Sequence, residues 1–592
     1  MSGRKSFVSD PWRHIVDRDL TWPISVVISL GFFVYNAIHF TGPAYTGSDE
    51  VAYLAKAAFL AGKPVDYASS WFAGYSVFLV PAFAMFASPS TIWLAVLAIN
   101  ALLWCGSFVL LGRFLRKVRT ENEVRATQPT LNFTLLASCL YPGWFVLSGY
   151  AFPNSAFVFM YMIALATLVT DGSIFSRRAI GHFASVVYLC WIHPAGYAVL
   201  AMSIAIILTK GLRTRTLAKP LLASLAMIML VFIVGPFIEK SINDAMTPNG
   251  FGFPGHYGSH ISGQLRDLLS ASHLIGLAKQ LLTVSSAVII STFGLVVALG
   301  ISVIQAWSSA KSTREMRLTQ VFILGSLIGV ITITSLSLYS PARFTMQVDH
   351  WVFLRYAEGV MLPVIALGVL SLLQMNVRER VGTALCSLML LLPASVLLQH
   401  DLGVRGATSR VDNHFVMSAG FWPYNFDPNI NFRDWIGTSP ATAMTYPSFI
   451  RWYLIGAIGV ALVLTIRKWS LLPILLLSLL LAPRIQTNWH QWLTSEYSTP
   501  PRMADVASDF ASSRNSRCVG FLDPPNSMNS YTEPYLRLTF YLVGQNLQRI
   551  SVTQPIEECL GVIISTEKSV GAEIARRVVS EEDSLFLLTP NN

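Results

Sequence analysis

The sequence predicts an α-helical polytopic membrane protein with about 13 transmembrane helices and a small C-terminal extracytoplasmic α/β domain. Three observations predict it. Of 592 residues, 53% are apolar and 12% are charged, roughly half the charge of a soluble domain, and the mean hydropathy is +0.52. Continuous apolar runs of bilayer-spanning length recur along most of the chain. They do not alternate in period two, which argues against a closed outer-membrane barrel. The basic residues fall in short loops between these runs, as they do in cytoplasmic loops. That placement also argues against nucleic acid as a partner, despite a net charge of +10.

Taken in order, Arg4, Lys5, Arg13 and Arg18 place the N-terminus (1–21) in the cytoplasm, and residues 22–40 cross outward. No small-residue cleavage site follows, so this run reads as a retained helix. Were 74–88 a second span, 91–111 would deliver "GRFLRKVRTENEVR" to the outside, against the charge rule. A helix lying along the outer interface at 74–88 removes the conflict, and 41–90 becomes one external loop with two short helices. Spans follow near 91–111, 130–147, 153–170, 180–193, 195–209, 221–238, 283–306, 318–338, 356–375, 382–398, 449–466 and 470–483. Every inner loop is then basic, from Arg113, Arg116, Lys117 and Arg119 to Arg467 and Lys468. The transmembrane domain is 22–483, in the plasma (inner) membrane. Its long loops lie outside at 41–90, 239–282 and 399–448, with a shorter one at 339–355. Long loops on a rigid scaffold usually carry function, so the chemistry is expected to face outward.

The tail, 484–592, follows an odd number of spans and so lies outside. "RCVGFLD", "LQRISV", "CLGVIIS" and "SLFLLT" read as strands, "YLRLTFYLVG" and "GAEIARRVV" as helices. Cys518 and Cys559 open two of the strands, and whether they pair stays open. Cys105, Cys139, Cys190 and Cys386 lie in apolar runs as small core residues. No spacing resembles a metal-ligand cluster. His256 and His260, in the glycine-rich "GFGFPGHYGSHISG", have no evident third ligand. A divalent metal is therefore left open without a cluster to support it. The aromatic "FWPYNFDPNINFRDW" suits anchoring at the interface or stacking on sugars.

The segment most in need of explanation is "TGSDEVAYLAKAAFLAG", 46–62. Ser48 can cap a helix, Asp49 and Glu50 suit its first turn through the macrodipole, and Gly62 can end it. Asp49, Lys56 and Lys63 are spaced by seven and share roughly one face. These residues alone leave capping and catalysis both open.

The helix, its place after the first span and the following "FAGYSVFLVPAF" resemble the GT-C superfamily of integral-membrane glycosyltransferases. These include protein O-mannosyltransferases and bacterial aminoarabinose and arabinosyl transferases, which take sugars from polyprenyl-phosphate lipids. The pattern is matched by Asp49, Glu50, Tyr53, Gly74 and Tyr75. "FLRYAEGVMLPVIALGVLSLL", 353–373, is similar to a late inward-going helix of the same superfamily. The resemblance implies that Asp49 is the catalytic carboxylate and that Arg355, at that helix's mouth, meets the lipid phosphate. An interfacial anchor is the alternative for Arg355. His350 and Glu358 flank it. Glu50, Tyr53, Lys56, Lys63 and Tyr75 are further substrate-site candidates. His193 in "WIHPAG" belongs either to the donor site or to a helix end. Many relatives carry a second acid where "SGYAFPNSAF" places Asn154, a departure that puts that acid in doubt.

The resemblance thus implies an inverting transferase that moves a sugar from a polyprenyl-phosphate-linked donor to an envelope glycan, glycolipid or protein acceptor. Membrane lipids are its other partners. A transporter or lipid flippase competes, but no internal repeat is evident and the charges sit at helix ends or in loops. A glycan polymerase or ligase using a pyrophosphate-linked donor, and a membrane scaffold, are the remaining alternatives.

Overall fold

The computed structural model describes residues 18–40, 42–43, 49–65, 72–121, 126–168, 176–246, 271–308, 313–338, 355–403, 460, 464–465, 499–513, 519–522, 538–543, 547–550, 563–565, 575–582 and 585–590. The expected spans at 449–466 and 470–483, His256, His260, His350, Cys518 and Cys559 lie outside them, apart from residues 460 and 464–465.

The described part is mostly helical. α1 (Thr21–His39) leads to two short helices, α2 (Asp49–Leu60) and α3 (Gly74–Met85), which pack on each other. α3 has 12 residues, about 18 Å of helix, against a hydrocarbon core of about 30 Å. Its length is that of the interfacial helix expected there. α4 (Pro89–Glu121) packs along α1 and along α7 (Asn154–Ala166). The span expected at 130–147 is two helices, α5 (Gln128–Cys139) and α6 (Pro142–Ser148), bent by 48°. Pro142 cannot continue the ladder of α5 and instead opens α6.

α8 (Arg177–Ile192) and α9 (Gly196–Thr214) follow, then α10 (Ala218–Met229), a π-helical segment at Leu230–Val234, and α11 (Gly235–Met246). The single span expected at 283–306 is corrected to two helices, α12 (Ala271–Ser291) and α13 (Leu295–Ser308). Phe293 and Gly294 between them have φ of 50° and 76°, a conformation that ends a helix and that glycine adopts without strain. α14 (Arg314–Leu338), α15 (Arg355–Gln374) and α16 (Val377–Gly403) are the last long apolar helices among the described residues.

Among the described residues, eight helices are long and apolar enough to cross a membrane, or nine if the bent pair is one span. α15 is the central one. Its apolar window is 89% buried, since α5, α7, α13 and α14 all pack on it. Helices facing lipid look different: the window through α10 and α11 is 22% buried.

Toward the C-terminus, α17 (Thr499–Ser513) packs against a five-stranded sheet of order β2-β1-β3-β5-β4. β1 (Val519–Leu522) is parallel to β2 (Leu547–Ile550) and β3 (Ile563–Ser565). β5 (Leu585–Pro590) is antiparallel to β3 and to β4 (Ala575–Glu582). "GAEIARRVV" is therefore corrected from helix to largely strand. Val578 and Val579 suit a pleated edge, and pairing with β5 overrides the helical look of the charged residues around them.

Candidate active site

The site is built around Tyr150–Asn154, the stretch that leads out of α6 and into the first residue of α7. Glu50, in the first turn of α2, is fully buried and accepts the Ala151 backbone N–H at 2.6 Å. The next residue, Phe152, lies with its ring 3.9 Å beneath the Arg355 guanidinium, a cation–π contact. Arg355 is 4% exposed and opens α15. Its carbonyl accepts the Asn154 side-chain amide at 2.8 Å. The acidic start of α2 and the basic start of α15 are thus held against consecutive residues of one loop.

Asn100 of α4 fixes that loop from below. Its amide donates to the Tyr150 carbonyl at 2.9 Å, and its Oδ1 accepts the Tyr75 hydroxyl at 2.9 Å and the Ser155 hydroxyl at 2.7 Å. Tyr75 meets Tyr53 edge-on at 5.4 Å between ring centroids, and both are fully buried. A cavity beside Arg355 is lined by Asn154, Phe157, His193, Tyr356 and Gly359, among others. Among the described residues no group of three or more His, Cys, Asp or Glu comes together.

The chain matches the fold of a crystal structure of ArnT from Cupriavidus metallidurans bound to undecaprenyl phosphate, with a TM-score of 0.50 and 14% identity, over 98% of each chain. The chain shares the fold of that structure. The apo ArnT structure aligns with a TM-score of 0.47 at 13% identity, again over 98% of each chain. A cryo-EM structure of the arabinosyltransferase EmbB from Mycobacterium smegmatis aligns at 0.40 and 14% identity, over 84% of this chain and 43% of that one. No family model and no curated protein sequence matches the chain.

Within this fold the expected site residues separate into groups. Asp49 begins α2, one residue before Glu50. Glu50 accepts a backbone N–H of the Tyr150–Asn154 stretch, which also makes it a long-range anchor. Glu358, one turn into α15, is fully buried and accepts the Tyr141 hydroxyl at 3.4 Å.

Lys56 is fully buried and ion-paired with Glu239 of α11, whose other oxygen accepts the Ala73 N–H at 2.9 Å. Burial pulls its ammonium down to about 7, so the charged form leans on the Glu239 carboxylate. Lys56 therefore ties α2 and the start of α3 to α11. Lys63 does not share the helix face expected of it. The helix ends at Leu60, Gly62 has φ of 78°, and the Lys63 N–H donates back to the Ala58 carbonyl at 2.9 Å. That is a glycine-terminated cap, which turns Lys63 off the helix.

Sequence reasoning missed Asn100, Ala151, Phe152 and Glu239. Asn100 carried a signal, as a lone amide in a long apolar run. Ala151 acts through its backbone and Phe152 through its ring, and neither has a local signature.

Proposed function

We propose that this protein is an inverting glycosyltransferase that takes a sugar from a polyprenyl-phosphate lipid at the outer face of the plasma membrane. The acceptor is an envelope glycan, glycolipid or protein. The observation that carries the reading is the meeting of the α2 and α15 N-termini on consecutive residues, Ala151 and Phe152, in a chain of GT-C fold.

Transfer from such a donor has two demands. The acceptor oxygen attacks the anomeric carbon while its proton passes to a carboxylate, the role we assign to Asp49. The bond from the anomeric carbon to the phosphate oxygen breaks, and its electron pair leaves on the phosphate. Arg355 supplies the facing charge in a low-dielectric setting, where such a contact counts most. A single displacement inverts the anomeric centre and needs no nucleotide.

The test is sugar transfer by purified protein from synthetic polyprenyl-phosphate sugars. Asp49→Asn is expected to lose about 10²–10⁴-fold in kcat, and Arg355→Gln about 10²–10³-fold in kcat/KM, with both variants folded. Full activity in Asp49→Asn sinks the assignment of the base. Turnover of pyrophosphate-linked donors alone moves the protein to the polymerase or ligase class.

A further inference from the structure

His193 follows α8, where the chain turns through Pro194 into α9. Its Nδ1 accepts the Ala195 backbone N–H at 3.1 Å. A backbone N–H can only donate, so Nδ1 carries the lone pair and the ring proton sits on Nε2. Protonating the ring would set Nδ1–H against the Ala195 N–H, so the imidazole is held neutral. The ring is 4% exposed, packs 4.1 Å from Tyr356 and meets Phe157 edge-on at 6.3 Å, which fixes its direction. Nε2 is buried and has no hydrogen-bond partner among the described residues. The same ring lines the cavity beside Arg355 and Asn154. A fixed, buried donor at a cavity wall is satisfied when a ligand supplies an acceptor.

We propose that His193 Nε2–H donates to a phosphate oxygen of the ligand drawn in by Arg355, so that the cavity is a two-donor phosphate site. The inference rests on the function proposed above for the lipid source of that phosphate. The recognition chemistry itself requires only an anion with oxygen acceptors. An uncharged, rigid donor suits this place, because a second cation would meet the Arg355 guanidinium at short range, whereas a neutral N–H adds direction without repulsion.

His193→Asn separates the two ends of the ring. An asparagine Oδ1 can accept the Ala195 N–H in the same kind of turn, but nothing replaces the Nε2 donor. His193→Gln restores a donor near the Nε2 position. The experiment is binding of undecaprenyl phosphate to the purified full-length chain in detergent micelles, with inorganic phosphate and phosphatidylglycerol as separate arms.

The expected result is a roughly tenfold to hundredfold weaker binding in His193→Asn, partly recovered in His193→Gln, with thermal stability close to wild type. Equal affinity in folded His193→Asn overturns the inference. If wild type binds inorganic phosphate but not undecaprenyl phosphate, and His193→Asn weakens it, the phosphate site stands and the lipid-donor reading falls. If wild type binds none of the three, the site itself falls. A measurement on wild type alone guards against a variant that fails to fold. With ¹⁵N-labelled histidine, the His193 Nε2 resonance must move on adding the ligand, and an unmoved resonance at saturation overturns the proposal.

Discussion

The two adjacent acids of α2 make a sharp prediction, because Glu50 has a backbone partner of its own and Asp49 is the proposed base. Glu50 is fully buried, and its carboxylate accepts the Ala151 N–H at 2.6 Å across 101 positions of sequence. Glu50→Gln keeps an amide oxygen for that N–H. What is lost is the difference between a charge-assisted and a neutral hydrogen bond, about 1 kcal/mol, and removing a buried charge offsets part of it. Glu50→Ala leaves the N–H without its carboxylate, a cost of about 1–3 kcal/mol. It also opens a void where carboxylate and methylenes were, adding about 1–2 kcal/mol. Glu50→Ala should therefore fall about 2–5 kcal/mol in stability, and its loop should loosen at the point where α2 and α15 meet.

The assay is a pair of measurements on each variant: thermal unfolding of the purified protein and initial rate of sugar transfer. Glu50→Gln is expected within a few-fold of wild type in both. Glu50→Ala should lose stability and rate together, whereas Asp49→Asn loses rate alone. A Glu50→Gln variant that unfolds like wild type yet transfers no sugar refutes the division. Glu50 would then be a reacting group, and its contact with Ala151 incidental.

Two further expectations follow from buried partners. Asn100→Leu strands the Tyr75 hydroxyl, the Ser155 hydroxyl and the Tyr150 carbonyl. It should cost about 3–5 kcal/mol by thermal or denaturant unfolding, and Asn100→Asp, which keeps the acceptor, should cost less. Glu239→Gln removes the carboxylate beside buried Lys56 and should destabilise by about 3–5 kcal/mol at neutral pH. Because the folded lysine sits near 7, below its ordinary value, the unfolded chain binds the extra proton between the two. The unfolded lysine titrates alike in wild type and variant, so the Glu239→Gln penalty is full at low pH, shrinks as pH rises to about 7 and is flat above it, where the folded lysine is neutral in both, which unfolding from pH 5 to 9 would show. A penalty that grows with pH refutes the assignment.

The parts legible in the sequence are those governed by local rules. Asp49 and Glu50 announce a helix start, Gly62 its end, and "LRYAEG" the mouth of a span. The reading of 74–88 as a helix lying along the outer interface came from the placement of basic loops, a rule summed over the whole chain; the short helix at Gly74–Met85 suits it. What was illegible depends on contacts between distant residues. Nothing near Glu239 points to Lys56, 183 positions away. The break after α12 rests on Phe293 in a left-handed conformation that glycine would adopt more easily, and only Gly294 hints at it. β4 is a strand because β5 pairs with it, and its own charged composition points elsewhere.

The same physics explains why the proposed base and phosphate partner had to be joined by a third segment. Two helix N-termini repel each other through their dipoles, and an arginine beside one adds to that. The arrangement answers each charge locally. Glu50 sits at the start of α2 and spends its carboxylate on a loop N–H, while the Phe152 ring faces the Arg355 guanidinium. Consecutive α-carbons are about 3.8 Å apart, so this loop acts as a short ruler between the two helix starts. Its ends are pinned by side-chain amides, Asn100 on the Tyr150 carbonyl and Asn154 on the Arg355 carbonyl. Asn154 stands where a second acid was expected, and its amide shows why a carboxylate there would be a different design: an ionised carboxylate has no hydrogen to donate to that carbonyl. Replacing the acid with an amide exchanges a further charge at the site for a fixed α15 N-terminus.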